Sequence, residues 1–111
     1  MNLFTWMLVG HLAGDFLLQS SWMAEKKAVE FLPLLAHCVS YTAAVALFTL
    51  PVGGISFPAI LVVFLAHLII DDKRMVELWA KHVSRAEGNT WLKVVQDQSW
   101  HIIVLALATL V

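Results

Sequence analysis

Four long apolar segments, separated by short polar ones, make up most of the chain, and each apolar segment carries a histidine. They cover about residues 3–19, 30–50, 58–71 and 91–111. A helix needs roughly 17–25 apolar residues to cross a bilayer, and the third segment is short for a crossing unless its helix continues through Asp71. Apolar residues form 60% of the chain, against roughly 45–50% in soluble domains. The sequence therefore predicts an all-α membrane protein, a bundle of four transmembrane helices in one domain over residues 1–111.

Histidine and aspartate stand four residues apart in three of the apolar segments, and the remaining segment carries a lone histidine. These seven residues are His11, Asp15, His37, His67, Asp71, Asp97 and His101. Residues four apart lie on one face of a helix, one turn from each other, so both members of a pair can point at a common object.

The seven residues are expected at a single depth of the bundle. With four antiparallel helices, the connections at residues 20–28 and 72–90 lie on one side, and the turn at 51–58 lies on the other with both termini. The histidines and aspartates come late in the first and third segments and early in the second and fourth. All seven therefore fall in the same leaflet, which indicates that they meet inside the bundle.

Basic residues give this arrangement an orientation. All seven lysine and arginine residues lie on the side of the polar cluster, and the positive-inside rule makes that side cytoplasmic, with both termini outside. Residues 73–85 place apolar and charged side chains on opposite faces of a helix. This pattern predicts an amphipathic interfacial segment after the third helix.

Aspartates at this depth need positive partners, because each costs ~2.5–3.5 kcal/mol at the centre of a membrane helix. The lysines and arginines are expected beyond the helix ends, which leaves protonated histidines or bound cations. Imidazole and carboxylate groups suit zinc, manganese or iron. The predicted ligands are His11, Asp15, His37, His67, Asp71, Asp97 and His101. They exceed the needs of one tetrahedral ion, so either two ions share the cluster or some residues orient ligands or act as a base.

Other residues have simpler interpretations. Gly10 and Gly14 have the small-residue spacing that lets a second helix approach closely. Tyr41 is interpreted as an interior tyrosine or a hydrogen-bond donor near His37. Three glutamines are expected at the membrane interface: Gln19, Gln96 and Gln98.

Several motifs together resemble a known family. They are His11-x3-Asp15-Phe-Leu-Leu-Gln19, Trp22-Met-Ala-x2-Lys27, His37 with Tyr41, His67-x3-Asp71-x2-Arg74, and Asp97-Gln98-x2-His101. This set resembles the small bacterial membrane proteins grouped as domain of unknown function 3307. The resemblance implies a location in the bacterial inner membrane and makes the polar cluster the functional centre, but it supplies no reaction. A looser similarity to inner-membrane metal-dependent hydrolases implies hydrolysis.

We therefore expect an intramembrane metal-dependent hydrolase that cleaves a phosphoester, amide or ester bond of an amphiphilic substrate at the cytoplasmic leaflet. Either Asp71 or Asp15 would act as the base. One alternative is a transporter or accessory subunit that passes protons or a divalent ion, and another is a structural membrane module. The lipid bilayer is the expected surrounding and a homo-oligomer is plausible, whereas a net charge of -1 gives no indication of a nucleic-acid partner.

Overall fold

Helices joined by short connections form the whole of the described chain. The computed structural model describes residues 2–86 and 88–111. Its helices are α1 (Leu3–Leu12), α2 (Ser21–Lys26), α3 (Phe31–Phe48), α4 (Phe57–Asp71), α5 (Arg74–His82) and α6 (Thr90–Ala108). Because residues 2–86 and 88–111 include no strand, the predicted all-α class is confirmed.

Four of the helices form a closed bundle. α1 packs on α3, α3 on α4, α4 on α6, and α6 on α1. Short connections between consecutive helices favour antiparallel neighbours. The remaining helices are short and lie at the bundle's edge, α2 against α3 and α5 against both α4 and α6. The sequence predicted only a polar connection where α2 forms, and Ser20 caps this helix by accepting a hydrogen bond from the Met23 amide at 3.3 Å.

Among the residues that the structure describes, α3 alone is both long and apolar enough to cross a membrane. Two further apolar helical stretches, Leu3–Leu17 and Phe57–Asp71, are shorter. The third predicted segment does continue helically through Asp71, as a crossing would require. The fold by itself therefore provides one candidate span within an all-helical bundle.

A π turn over Ala13–Leu17 extends α1. The Leu18 amide donates a hydrogen bond to the Ala13 carbonyl at 2.8 Å, five residues back. A π turn holds one more residue than an α turn and often occurs at functional sites. Asp15 lies within it, so this side chain does not follow His11 at the regular helical angle that the sequence pattern assumed.

The bundle has one apolar end and one polar end. The buried apolar residues Met7, Tyr41, Val45, Ala59, Val63, Leu105 and Ala108 form a cluster. They fill the end that holds both termini and the connection between α3 and α4. The buried histidines and aspartates occupy the other end.

Two glycines bring α1 and its π turn close to α3. A Cβ atom on Gly10 would lie 2.7 Å from the Val45 Cα, and one on Gly14 would lie 3.0 Å from the Tyr41 Cα. These neighbours are backbone atoms, which cannot rotate away. The close helix approach predicted from the glycine spacing is confirmed, and it sets the distance between the polar residues of these two elements.

We predict that Gly10→Ala destabilises the protein by roughly 1–2 kcal/mol, because the clash with α3 outweighs the higher helix propensity of alanine. Chemical unfolding of the purified protein measures the change. Gly88→Ala is the matched control, since a Cβ there meets nothing within 4 Å, and we expect it to stay within about 0.5 kcal/mol of wild type. Equal stability of the two variants would contradict the packing described.

Candidate metal centre

The Asp71 carboxylate is the centre of the polar end. Asp71 is the last residue of α4 and is 0% exposed. Its Oδ2 atom lies 3.0 Å from His37 Nε2 and 3.1 Å from His67 Nε2. Its Oδ1 atom lies 3.1 Å from His101 Nε2. One carboxylate therefore contacts histidines from three helices.

Asp15 completes a first group of possible ligands around Oδ2. Its Oδ1 atom lies 3.0 Å from His37 Nε2 and 3.7 Å from His67 Nε2, and the two Nε2 atoms are 2.9 Å apart. Ligand atoms of Asp15, His37, His67 and Asp71 all lie within 4.8 Å of one another. For tetrahedral zinc with bonds of about 2.0–2.1 Å, neighbouring ligand atoms are about 3.3 Å apart. The observed spacing suits such an ion.

A second group lies on the other side of the same carboxylate. It consists of Asp71, Asp97 and His101, all buried and again within 4.8 Å. The two groups share only Asp71, which turns Oδ2 toward the first and Oδ1 toward the second. A carboxylate shared in this way can bridge two ions at the separation of about 3.5–4 Å found in two-metal sites. The buried histidines and aspartates could therefore hold one or two metal ions.

Hydrogen bonds alone do not satisfy these contacts. His37 Nε2 carries at most one hydrogen, yet it lies within 3.0 Å of three possible acceptors, on Asp15, His67 and Asp71. Asp71 Oδ1 and His101 Nε2 are 3.1 Å apart, but neither has a hydrogen-bond partner among the described residues. Buried polar atoms without partners are unfavourable. A cation between the ligand atoms would satisfy several at once.

Two lysines reach the cluster, so the expectation that all basic side chains stay beyond the helix ends is wrong. Lys27 Nζ donates to Asp71 Oδ2 at 2.8 Å. Lys73 Nζ donates to Asp97 Oδ1 at 2.9 Å and lies 3.6 Å from Asp71 Oδ1. Long aliphatic stems allow lysines near helix ends to extend past apolar surface in this way. Each group of possible ligands thus has one ammonium beside it.

Lys73 stands in a tight turn between α4 and α5, with a φ angle of 74°. Burial lowers the pKa of Lys73, but the nearby carboxylates of Asp71 and Asp97 raise it more, so the net pKa lies above its usual value. Two ammonium groups face three buried carboxylates, including that of Asp15. With neutral histidines, the cluster therefore keeps one excess negative charge.

His11 lies beside the two groups and not within them. Its Nε2 donates to Gln98 Oε1 at 2.8 Å, and the Tyr41 hydroxyl donates to its Nδ1 at 2.8 Å. Both ring nitrogens of a neutral imidazole are then occupied. The role of His11 as a metal ligand stays a prediction. Tyr41 contacts His11 by this bond, while its ring stacks on His67 with centroids 3.8 Å apart.

Gln98 belongs to the cluster, although it was expected at the interface. Its amide nitrogen donates to Asp15 Oδ2 at 3.2 Å and to Asp97 Oδ2 at 3.3 Å. The amide therefore holds one carboxylate from each group of possible ligands. The available signal was its place in the motif Asp97-Gln98-x2-His101, next to a predicted ligand.

Comparison with known proteins gives the chain a family. A family model described as "Protein of unknown function (DUF3307)" matches residues 3–111. Neither a curated protein nor a solved structure matches the chain, so these comparisons give no support to the looser similarity to metal-dependent hydrolases. The match spans every element of the bundle and all the residues of the candidate metal centre. The chain belongs to the DUF3307 family of proteins of unknown function.

Proposed function

We propose that the protein is an intramembrane hydrolase that uses one or two divalent transition-metal ions to cleave an amphiphilic substrate. The observation that carries this proposal is the shared Asp71 carboxylate, which faces a different group of ligands with each oxygen. Nitrogen and oxygen donors without thiolates favour zinc, manganese or iron. The four ligands of the first group would enclose an ion. The second group offers three, which leaves a position for water, as in catalytic sites.

A divalent ion at such a site would lower the pKa of water and polarise the bond to be cleaved. Of the two predicted bases, Asp15 suits the role better than Asp71. Both oxygens of Asp71 face histidines. Asp15 contacts the first group only through Oδ1, and its Oδ2 accepts a hydrogen bond from the Gln98 amide, which also donates to Asp97 of the second group. Gln98 would then orient Asp15 for taking a proton from water, and His11 would fix Gln98.

The distribution of apolar side chains supports a membrane location. Large apolar side chains are exposed along the helices: Leu12, Phe16, Leu17, Leu32, Val39, Leu47, Leu61, Leu65, Ile69, Ile102, Ile103 and Leu107. Soluble monomers rarely expose apolar patches this extensive. The histidines and aspartates of the cluster lie inside instead, as ionisable residues of membrane bundles do.

We infer that α1 with its π turn, α3, α4 and α6 all cross the inner membrane. The shorter helices would be complemented at the interface by the amphipathic α5, which buries Val76 and Ala80 against the bundle and exposes Leu78. Lys27 and Lys73 mark the end of the polar cluster. Under the positive-inside rule this end faces the cytoplasm and both termini lie outside.

The apolar end of the bundle favours a hydrolase over a transporter. A pathway for protons or ions would need polar groups beyond the cluster, yet the buried apolar cluster that includes Met7, Val45 and Leu105 fills that region. A purely structural role leaves the unsatisfied contacts of His37 Nε2 without an explanation. Apolar packing closes the site on one side, and the membrane interface lies on the other. Such a site suits a substrate with a lipid tail.

Hydrolysis can be tested directly with the detergent-purified protein loaded with zinc, manganese or iron. The substrates are long-chain nitrophenyl carboxylic esters, alkyl nitrophenyl phosphates and acyl nitroanilides, one for each proposed bond class. We expect one class to be cleaved by wild type and by Glu25→Gln, and Asp71→Asn to lose at least about a hundredfold in rate, because it removes the carboxylate shared by both groups. Glu25 is the matched control because it is an acidic residue exposed on α2, outside the cluster. Absence of metal-dependent cleavage for all three classes would contradict the proposal.

Gln98 provides a second prediction, on metal affinity. Gln98→Ala removes the amide that holds Asp15 and Asp97, and loss of such outer contacts typically lowers metal affinity about 10–100-fold. Titration with cobalt(II), followed by visible absorption, measures this change. Gln96→Ala is the control on the same helix, because the Gln96 side chain contacts Ser84 and not the cluster. An unchanged affinity in Gln98→Ala would show that the carboxylates do not need this support.

A further inference from the structure

An open cavity lies beside the polar end, where Lys27 reaches Asp71. Its volume is about 420 Å³. The lining is amphiphilic, with Val29, Phe31 and Leu34 providing apolar surface. Charged side chains line it as well, namely Lys27, Glu30, Asp72 and Arg74. A cavity of this composition suits a molecule that has both a charged group and a hydrocarbon portion.

Lys27 connects this cavity with the buried centre. The side chain is 12% exposed and lines the cavity, while its Nζ lies 2.8 Å from Asp71 Oδ2. The same oxygen contacts the two histidines of the first ligand group, His37 and His67. The ammonium therefore lies beside the position that a metal ion would take.

A divalent ion in the first group would compete directly with this ammonium for Asp71. Like charges a few ångströms apart repel strongly in a partly buried site. Binding of a cation by the first group would therefore drive Lys27 away from Asp71. Its flexible four-carbon stem allows the ammonium to turn back into the cavity.

We propose that Lys27 leaves Asp71 and pairs instead with a phosphate group of the substrate, which binds in this cavity. Arg74 stands on the same cavity and donates through Nε to Asp72 at 2.6 Å. A guanidinium has further N–H groups for an oxyanion. The inference rests on the proposed metal centre, and it narrows the substrate to an amphiphile that carries a phosphate. Metal binding would release Lys27, and the phosphate would keep it released.

This exchange couples the two ligands. If metal raises the affinity for phosphate by some factor, phosphate must raise the affinity for metal by the same factor. Typical couplings of this kind are roughly 5–150-fold. The coupling depends on the charge of Lys27, which therefore provides the variant for the test.

The experiment measures cobalt(II) affinity of the purified full chain by visible absorption at buffered free cobalt. Titrations are made without additive, with inorganic phosphate, and with short-chain phosphatidic acid. Wild type is expected to bind cobalt(II) at least about fivefold more tightly with a phosphate compound. An effect of both compounds indicates recognition of phosphate itself, and an effect of phosphatidic acid alone indicates a lipid head group.

Lys27→Met should bind cobalt(II) more tightly than wild type without additive, because the competing ammonium is gone, and should lose the response to phosphate. Lys27→Arg keeps the positive charge and should retain the response. Lys81→Met is the control, since Lys81 is exposed on α5 and is not part of the cavity lining. Circular dichroism and gel filtration verify the fold of each variant.

Two results would overturn the proposal and leave the metal centre intact. One is cobalt(II) binding by wild type that neither phosphate compound changes, and the other is full coupling in Lys27→Met. Absence of cobalt(II) binding in both wild type and Lys27→Met would instead overturn the metal centre, and this inference with it.

Discussion

Neutralising carboxylates inside an apolar bundle is the constraint on which the rest of this structure depends. Asp15, Asp71 and Asp97 are all buried, at a depth where an unpaired charge is strongly unfavourable. Histidines from α3, α4 and α6 contact these carboxylates, and two lysines extend inward to them from the connections. Asp71 makes contacts of both kinds, since its two oxygens contact Lys27 and three histidines.

The rest of the fold positions this cluster. Gly10 and Gly14 let α1 and its π turn approach the backbone of α3, which brings Asp15 to His37. The end of α4 at Asp71 and the left-handed turn at Lys73 place a carboxylate and an ammonium side by side. The apolar cluster at the opposite end closes the bundle. The same cluster would then bind a metal ion, release Lys27, and so allow Lys27 to bind a phosphate.

Part of this arrangement could be predicted from the sequence, because it follows from helical periodicity and depth. The four-residue spacing of His67 and Asp71 places both on one face, and their position late in α4 matches that of His37 early in α3. The contributions of Lys27 and Gln98 could not be obtained this way, since they depend on how far a flexible side chain extends. The π turn at Asp15 could not be predicted either, because it breaks the periodicity on which the prediction relied. Helix length is a poor guide to the membrane spans as well, because α4, one of the predicted spans, has only 15 residues.

The most direct test of the account is the metal content of the detergent-purified protein, measured by inductively coupled plasma mass spectrometry for wild type, Asp71→Asn and Asp72→Asn. The account predicts near-stoichiometric zinc, manganese or iron in wild type and Asp72→Asn, and a large loss in folded Asp71→Asn. A wild-type protein that stays metal-free after reconstitution with each of these ions would contradict it. The buried histidines and aspartates would then form a polar network held together by protons and lysines alone.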